Sequence, residues 1–210
     1  MVASCLYWLM SVWQWGKEYR AHVIHEASHL TIRDFLRLYQ NKATVVIPRT
    51  IVVMSPVLVE KLDDLTPIAL QVFLERWRAV PARLVLLTVT KERHPYIASE
   101  ERFTVYSFSD ALQDEQNVIS VQVRYGYMED PDVRTALADL QKQHLLHVSE
   151  DPQKWLIITG RERFISTVQG IIPKMRLAFF RLMHANTKSA ISYFGDLDAD
   201  AEVVIVGVNM

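Results

Sequence analysis

The chain has 210 residues, of which 50% are hydrophobic and 22% charged, and its formal net charge is −1. That length supports one domain with a real core, and the near-zero charge gives no electrostatic reason to expect nucleic acid as a partner. The single cysteine, Cys5, excludes an intrachain disulfide and fits a reducing, intracellular setting.

Residues 2–15, VASCLYWLMSVWQW, carry no charge. As a helix they reach about 21 Å, short of the roughly 30 Å hydrocarbon core of a bilayer. Tyr7, Trp8, Trp13 and Trp15 are residue types that favour a membrane–water interface, and Lys17, Glu18 and Arg20 follow at once. Three readings fit. The segment is the last turns of a transmembrane helix leaving on the cytoplasmic side, with Lys17 and Arg20 as flanks; or it is a buried or dimer-forming helix; or it is a signal peptide. The last normally has its basic residues before the apolar run, and here they come after it. The first reading is preferred.

Further on, apolar spacing marks alternating helices and strands. Ile32, Phe35, Leu36 and Tyr39 share one face of a helix over 31–39, with Thr31 as N-cap and Asp34 three positions on. Residues 45–54, VVIPRTIVVM, are rich in β-branched types, but Pro48 splits them and confines the predicted strand to 50–54. Thr66 and Pro67 read as the N-cap and first residue of a helix that buries Leu70, Phe73, Leu74 and Trp77 and stops at Pro81. The continuous apolar run at 83–90, RLVLLTVT, predicts a central strand covered on both faces.

Residues 102–108 and 118–125 alternate in character across a polar link, which predicts an antiparallel hairpin. Asp130 and Pro131 read as the opening of a helix whose buried stripe is Val133, Leu137, Leu140 and either His144 or Leu145. A strand over 155–159 ends at Gly160. A long helix at about 173–192 turns Met175, Phe179, Leu182 and Met183 inward, and 202–206 form a last strand. The predicted order is α, α, β, α, β, β, β, α, β, α, β. This is one α/β domain over 43–210, with a mixed β-sheet flanked by helices, preceded by an N-terminal helical appendage at 1–42.

Four constellations are candidates for chemistry. HEASH at 25–29 matches HExxH, in which His25 and His29 hold zinc from one helix face and Glu26 acts as general base; His22 lies on the same predicted face. A zinc hydrolase needs a third ligand that nothing downstream identifies, so a polar, solvated helix is the plainer reading. The carboxylates Glu129, Asp130 and Asp132 are of the kind that bind a cation, against which stands a helix start, with Asp130 as cap and Asp132 in the first turn. TGRERF at 159–164 places Arg161 and Arg163 after a glycine, as an anion cradle or as a tight turn with solvated arginines. Lys174, Arg176, Arg181 and Lys188 form a basic helix that faces either anionic headgroups or solvent. The sequence implies no cofactor.

Several segments carry a family resemblance. RYGYMEDPDV at 124–133 is the most specific. It is joined by WQWGKEYR at 13–20, IPRTIVVMS at 47–55, PIALQVFLERWRAVPARLVLLTVTKERHPYI at 67–97, WLIITGRERF at 155–164 and FFRLMHANTKSAISYFG at 179–195. From end to end the chain resembles the C-terminal cytoplasmic part of KUP-family potassium uptake transporters. Arg49 stands where that family usually has a glycine, its His-Asn-Lys element is absent, and its closing Gly-Thr-Gln run is reduced to VVIVGVNM. The resemblance implies a regulatory and dimerisation domain at the cytoplasmic face of the cell membrane, partnered by the membrane domain of a proton-coupled potassium symporter and by a second copy. The family's potassium and proton sites lie in the membrane domain, so no transport residue carries over and no catalysis is implied. The alternative function is sensing of cyclic di-AMP, with Arg124, Arg161 and Arg163 as anion ligands and Tyr125 or Tyr127 for base stacking.

Overall fold

The computed structural model describes residues 2–40, 44–108, 117–145, 151, 154–165, 170–185 and 201–209. Its elements follow the expected order. They are α1 (Val2–Ala27), α2 (Ile32–Gln40), β1 (Val45–Met54), α3 (Ile68–Trp77), β2 (Ala79–Lys91), β3 (Phe103–Ser107), β4 (Val118–Tyr125), α4 (Val133–Lys142), β5 (Leu156–Ile165), α5 (Ile171–Ala185) and β6 (Ala201–Asn209).

The strands form one six-stranded sheet in the order β3-β4-β2-β1-β5-β6. Among the described strands, β3 and β4 pair antiparallel and the other neighbours run parallel. β2 lies between β1 and β4, as its uninterrupted apolar run requires. Pro48 does not end β1. It sits in a register irregularity between Ile47 and Thr50, so the strand begins at Val45 and absorbs the missing donor as a bulge.

Two cores lie on the two faces of the sheet, because side chains alternate along each strand. On one face Ile51, Val53, Leu84, Leu86 and Ile158 pack against Leu70 and Phe73 of α3 and Ile32, Phe35 and Leu36 of α2. On the other, Val52, Val85, Leu87, Val121, Val123 and Ile157 pack against Val133, Ala136, Leu137 and Leu140 of α4. Phe35, Phe73 and Leu137 are fully enclosed, each contributing roughly 1.5–3 kcal/mol of transfer free energy. The main core thus draws on α2, which precedes residue 43. Thr31 starts α2 as expected: its hydroxyl accepts the Asp34 amide at 3.2 Å and donates to the Asp34 carboxylate at 2.8 Å. A third cluster joins Val12 of α1 to Leu177 and Phe180 of α5.

Several predicted boundaries move. Thr66 is not the cap of α3; its buried hydroxyl donates to the Leu30 carbonyl at 3.0 Å, and Pro67 is the capping residue. α3 ends at Trp77 because Arg78 takes a left-handed conformation, φ 47°, and Pro81 falls inside β2 opposite Ile47. α4 is capped by Asp132, whose carboxylate accepts the Thr135 amide, and not by Asp130. That helix stops at Lys142, so neither His144 nor Leu145 joins its stripe.

β5 runs straight through Gly160 to Ile165, since β6 pairs with it along that whole length. TGRERF is therefore strand, and the turn expected there does not form. Among the described residues of α5, Leu177 and Phe180 are buried and Met183 packs against them as expected, while Met175, Phe179 and Leu182, also expected to point inward, are exposed. Part of the predicted helix to 192, with Lys188, lies outside the described residues.

Candidate functional site

The turn after β4 gathers a dense set of polar contacts. Arg124 and Tyr125 end the strand, and residues 126–129 reverse the chain, with the Glu129 amide donating to the Gly126 carbonyl at 3.2 Å. The β2–β3 connection lies along this turn. The Glu92 amide donates to the Tyr125 carbonyl at 2.8 Å, the Tyr127 amide to the His94 carbonyl at 2.9 Å, and the Met128 amide to the Pro95 carbonyl at 3.2 Å. Gly126 is needed for this approach, because a Cβ there would overlap the Pro95 carbonyl.

Glu129 closes the assembly. One of its oxygens accepts the Gly126 amide at 2.6 Å and the Ile97 amide at 3.2 Å. The other accepts Arg102, which also donates to the Ile97 carbonyl at 3.1 Å. The Arg102 guanidinium lies 5.0 Å from the Tyr125 ring centroid, within cation–π range. The Tyr125 hydroxyl donates to the Asp132 carbonyl at 2.9 Å, and the Asp132 carboxylate holds the α4 amide of Thr135 at 3.2 Å and the Thr135 hydroxyl at 2.7 Å. One network therefore ties the start of β3, the β2–β3 connection, the end of β4 and the start of α4. Burial opposes ionisation of Glu129, but the Gly126 amide, Arg102 and the Ile97 amide together outweigh it and hold its pKa low.

Chemically, the acidic trio organises the fold. Glu129 and Asp132 are occupied by amides and by Arg102, and Asp130 points to solvent. Of the anion candidates, Arg124 is half-buried; it donates to the Thr104 hydroxyl at 2.7 Å, and its Nε is buried with no hydrogen-bond partner. Tyr125 is buried in the core with its hydroxyl committed, whereas Tyr127 is exposed. Arg161 and Arg163 lie on β5, three strand spacings from β4 in the sheet order, or about 14 Å across the sheet. Sequence reasoning singled out Arg124 and missed Arg102, because its carboxylate partner lies 27 residues away.

The HExxH geometry is not formed as expected. α1 ends at Ala27, so His25 is in the helix and His29 is beyond it, and the two do not share a helix face. The His29 amide donates weakly to Gln71 at 3.5 Å. Among the described residues no group of three or more His, Cys, Asp or Glu side chains is placed to hold a metal ion, and no helix is long and apolar enough to cross a membrane.

An α/β domain whose acidic turn is a structural lock is thus the class that fold and site define. The chain belongs to the K+ potassium transporter C-terminal domain family, whose model matches residues 48–210. It is 27% identical over 194 residues to the probable potassium transport system protein Kup of Myxococcus xanthus, covering 92% of this chain and 27% of that protein. It is 29% identical over 196 residues to the protein of the same description from Xanthomonas euvesicatoria, covering 92% of this chain and 28% of that protein. The Anaeromyxobacter relative, also a probable Kup protein, is 27% identical over 195 residues, with 92% and 28% covered. The chain thus spans little more than a quarter of the length of these curated relatives. No solved structure matches it.

Proposed function

We propose that this chain is the cytoplasmic domain of a proton-coupled potassium uptake transporter, serving as a regulatory and dimerisation unit and not as the ion path. Membership of the transporter C-terminal family carries this reading. The site chemistry supports it, since Glu129 and Asp132, two of the three carboxylates of the candidate cation cluster, are spent on backbone amides and Arg102. The division into a membrane-proximal segment at 1–42 and an α/β unit at 43–210 belongs to the same proposal, with the membrane-proximal role resting on α1 because α2 packs in the core of the α/β unit. The test is potassium uptake by the complete transporter in a bacterium lacking its own uptake systems, with and without residues 43–210. Loss of regulation or assembly with residual conduction is expected; unchanged uptake and an unchanged oligomer on deletion would overturn the reading. Light scattering of the 210-residue chain tests dimerisation directly.

A second reading is favoured by one observation, the unpartnered Arg124 Nε near the carboxyl end of a parallel sheet, where α/β folds bind ligands. In it, cyclic di-AMP binds with Arg124 and Tyr127 at one phosphate and base, while Arg161 and Arg163 contribute across the sheet. Calorimetry with cyclic di-AMP decides it: heat abolished by Arg124→Ala supports the reading, and no heat at a few hundred micromolar ligand removes it.

A further inference from the structure

α5 has two apolar faces. Leu177 and Phe180 pack on Val12 of α1. A second stripe, Ile171, Met175, Ala178 and Leu182, recurs at intervals of four, three and four residues, which places it along one side of the helix. Ile171, Met175 and Leu182 are 80%, 53% and 61% exposed. Lys174 and Arg181, seven residues apart, border the stripe on one side. Phe179 borders it on the other, where the Trp8 ring meets it edge-on at 5.0 Å.

The charge on α5 distinguishes between occupants. Its sequence, IIPKMRLAFFRLMHA, contains Lys174, Arg176, Arg181 and His184 and no acidic residue. Arg176 turns inward, donating to the Ser11 carbonyl and hydroxyl at 3.3 Å and lying 4.8 Å from the Trp15 ring centroid. Pairing α5 with α5 of a second copy would bring the two Lys174 borders together with no acidic residue from either helix between them, which is unfavourable. An anionic bilayer surface satisfies both the stripe and its border. Apolar side chains enter the headgroup–acyl boundary, and lysine meets phosphates.

We propose that α5 is a membrane-surface helix that lays Ile171, Met175 and Leu182 into an anionic leaflet, with Lys174 on its headgroups. This rests on the reading that the domain works against a membrane, and it assigns the contact to a defined face.

The experiment is co-sedimentation of the 210-residue chain with phosphatidylcholine vesicles, with or without roughly one-third phosphatidylglycerol. Binding is expected only with the anionic lipid, weakening as salt is raised. Met175→Glu combined with Leu182→Glu should lower it at least about tenfold, and Lys174→Glu should lower it severalfold. Both stripe residues are exposed, so circular dichroism should be unchanged. Equal binding to the zwitterionic vesicles, or undiminished binding by the double variant, would overturn the proposal; the latter would assign the contact to α1. A dimer that the double variant dissociates, without vesicle binding, would assign the stripe to a second copy instead. Potassium uptake by the complete transporter is read separately, so failure here and failure of the transporter reading are distinguishable.

Discussion

Glu129 and Arg102, 27 residues apart in sequence, form an ion pair at 2.5 Å in which both side chains are largely buried. Around it the β2–β3 connection and the β4–α4 turn are held as one unit, because Glu129 also accepts the amides of Gly126 and Ile97.

Replacing Glu129 with Gln should cost about 2 kcal/mol, since an amide nitrogen would then face donors that need an acceptor. The effect has a defined pH dependence. The folded pKa of Glu129 is lowered. Its contribution is therefore complete above the unfolded carboxylate pKa and is lost as pH falls through the lower folded value. Urea denaturation of both proteins should show a stability gap that is constant near neutrality and narrows below about pH 4. A gap that widens on acidification would contradict the assignment.

Gly126→Ala should destabilise by about 1–3 kcal/mol, because the new methyl overlaps the Pro95 carbonyl and forces the connection away. Hydrogen exchange should show faster exchange of the Tyr127 and Met128 amides, which bond to His94 and Pro95.

Asp132→Ala should cost about 1 kcal/mol through loss of the α4 cap. Asp130→Ala should be within about 0.5 kcal/mol of neutral, as expected of an exposed surface side chain. Thermal denaturation of the two variants separates the cap that forms from the one that the Asp-Pro pair predicts.

Gly16→Leu should separate α1 from α5. A Cβ at Gly16 would enter the Phe180 ring, which also packs beside Trp13 at 5.7 Å. Tryptophan emission should shift to the red, while the sheet core, built without α1, keeps its cooperative unfolding. An unchanged spectrum would argue against this helix pair.

Much of the architecture was readable before any coordinates. The strand run at 83–90, the hairpin of 102–108 with 118–125, and the cap at Thr31 all rest on periodicities or pairings within a few residues. Errors fell where a distant partner overrides local chemistry. Gly160 looks like a stop, yet β6 pairs beside it and the strand continues. Pro81 looks like a breaker, yet it lies inside β2, paired opposite Ile47 of β1. α5 carries apolar residues on two sides, and local pattern alone placed Met183 correctly but Met175, Phe179 and Leu182 on the wrong one, because the position of α1 decides which side is buried.

By itself the sequence determined the order of the elements, the α/β class and, through RYGYMEDPDV, the family, because alternation and local motifs are written in adjacent residues. Tertiary structure alone decided what the acidic residues of that motif do. Glu129 takes its partners from Ile97 and Arg102, 32 and 27 residues earlier, and a hydrogen bond across such a separation leaves no periodic trace along the chain.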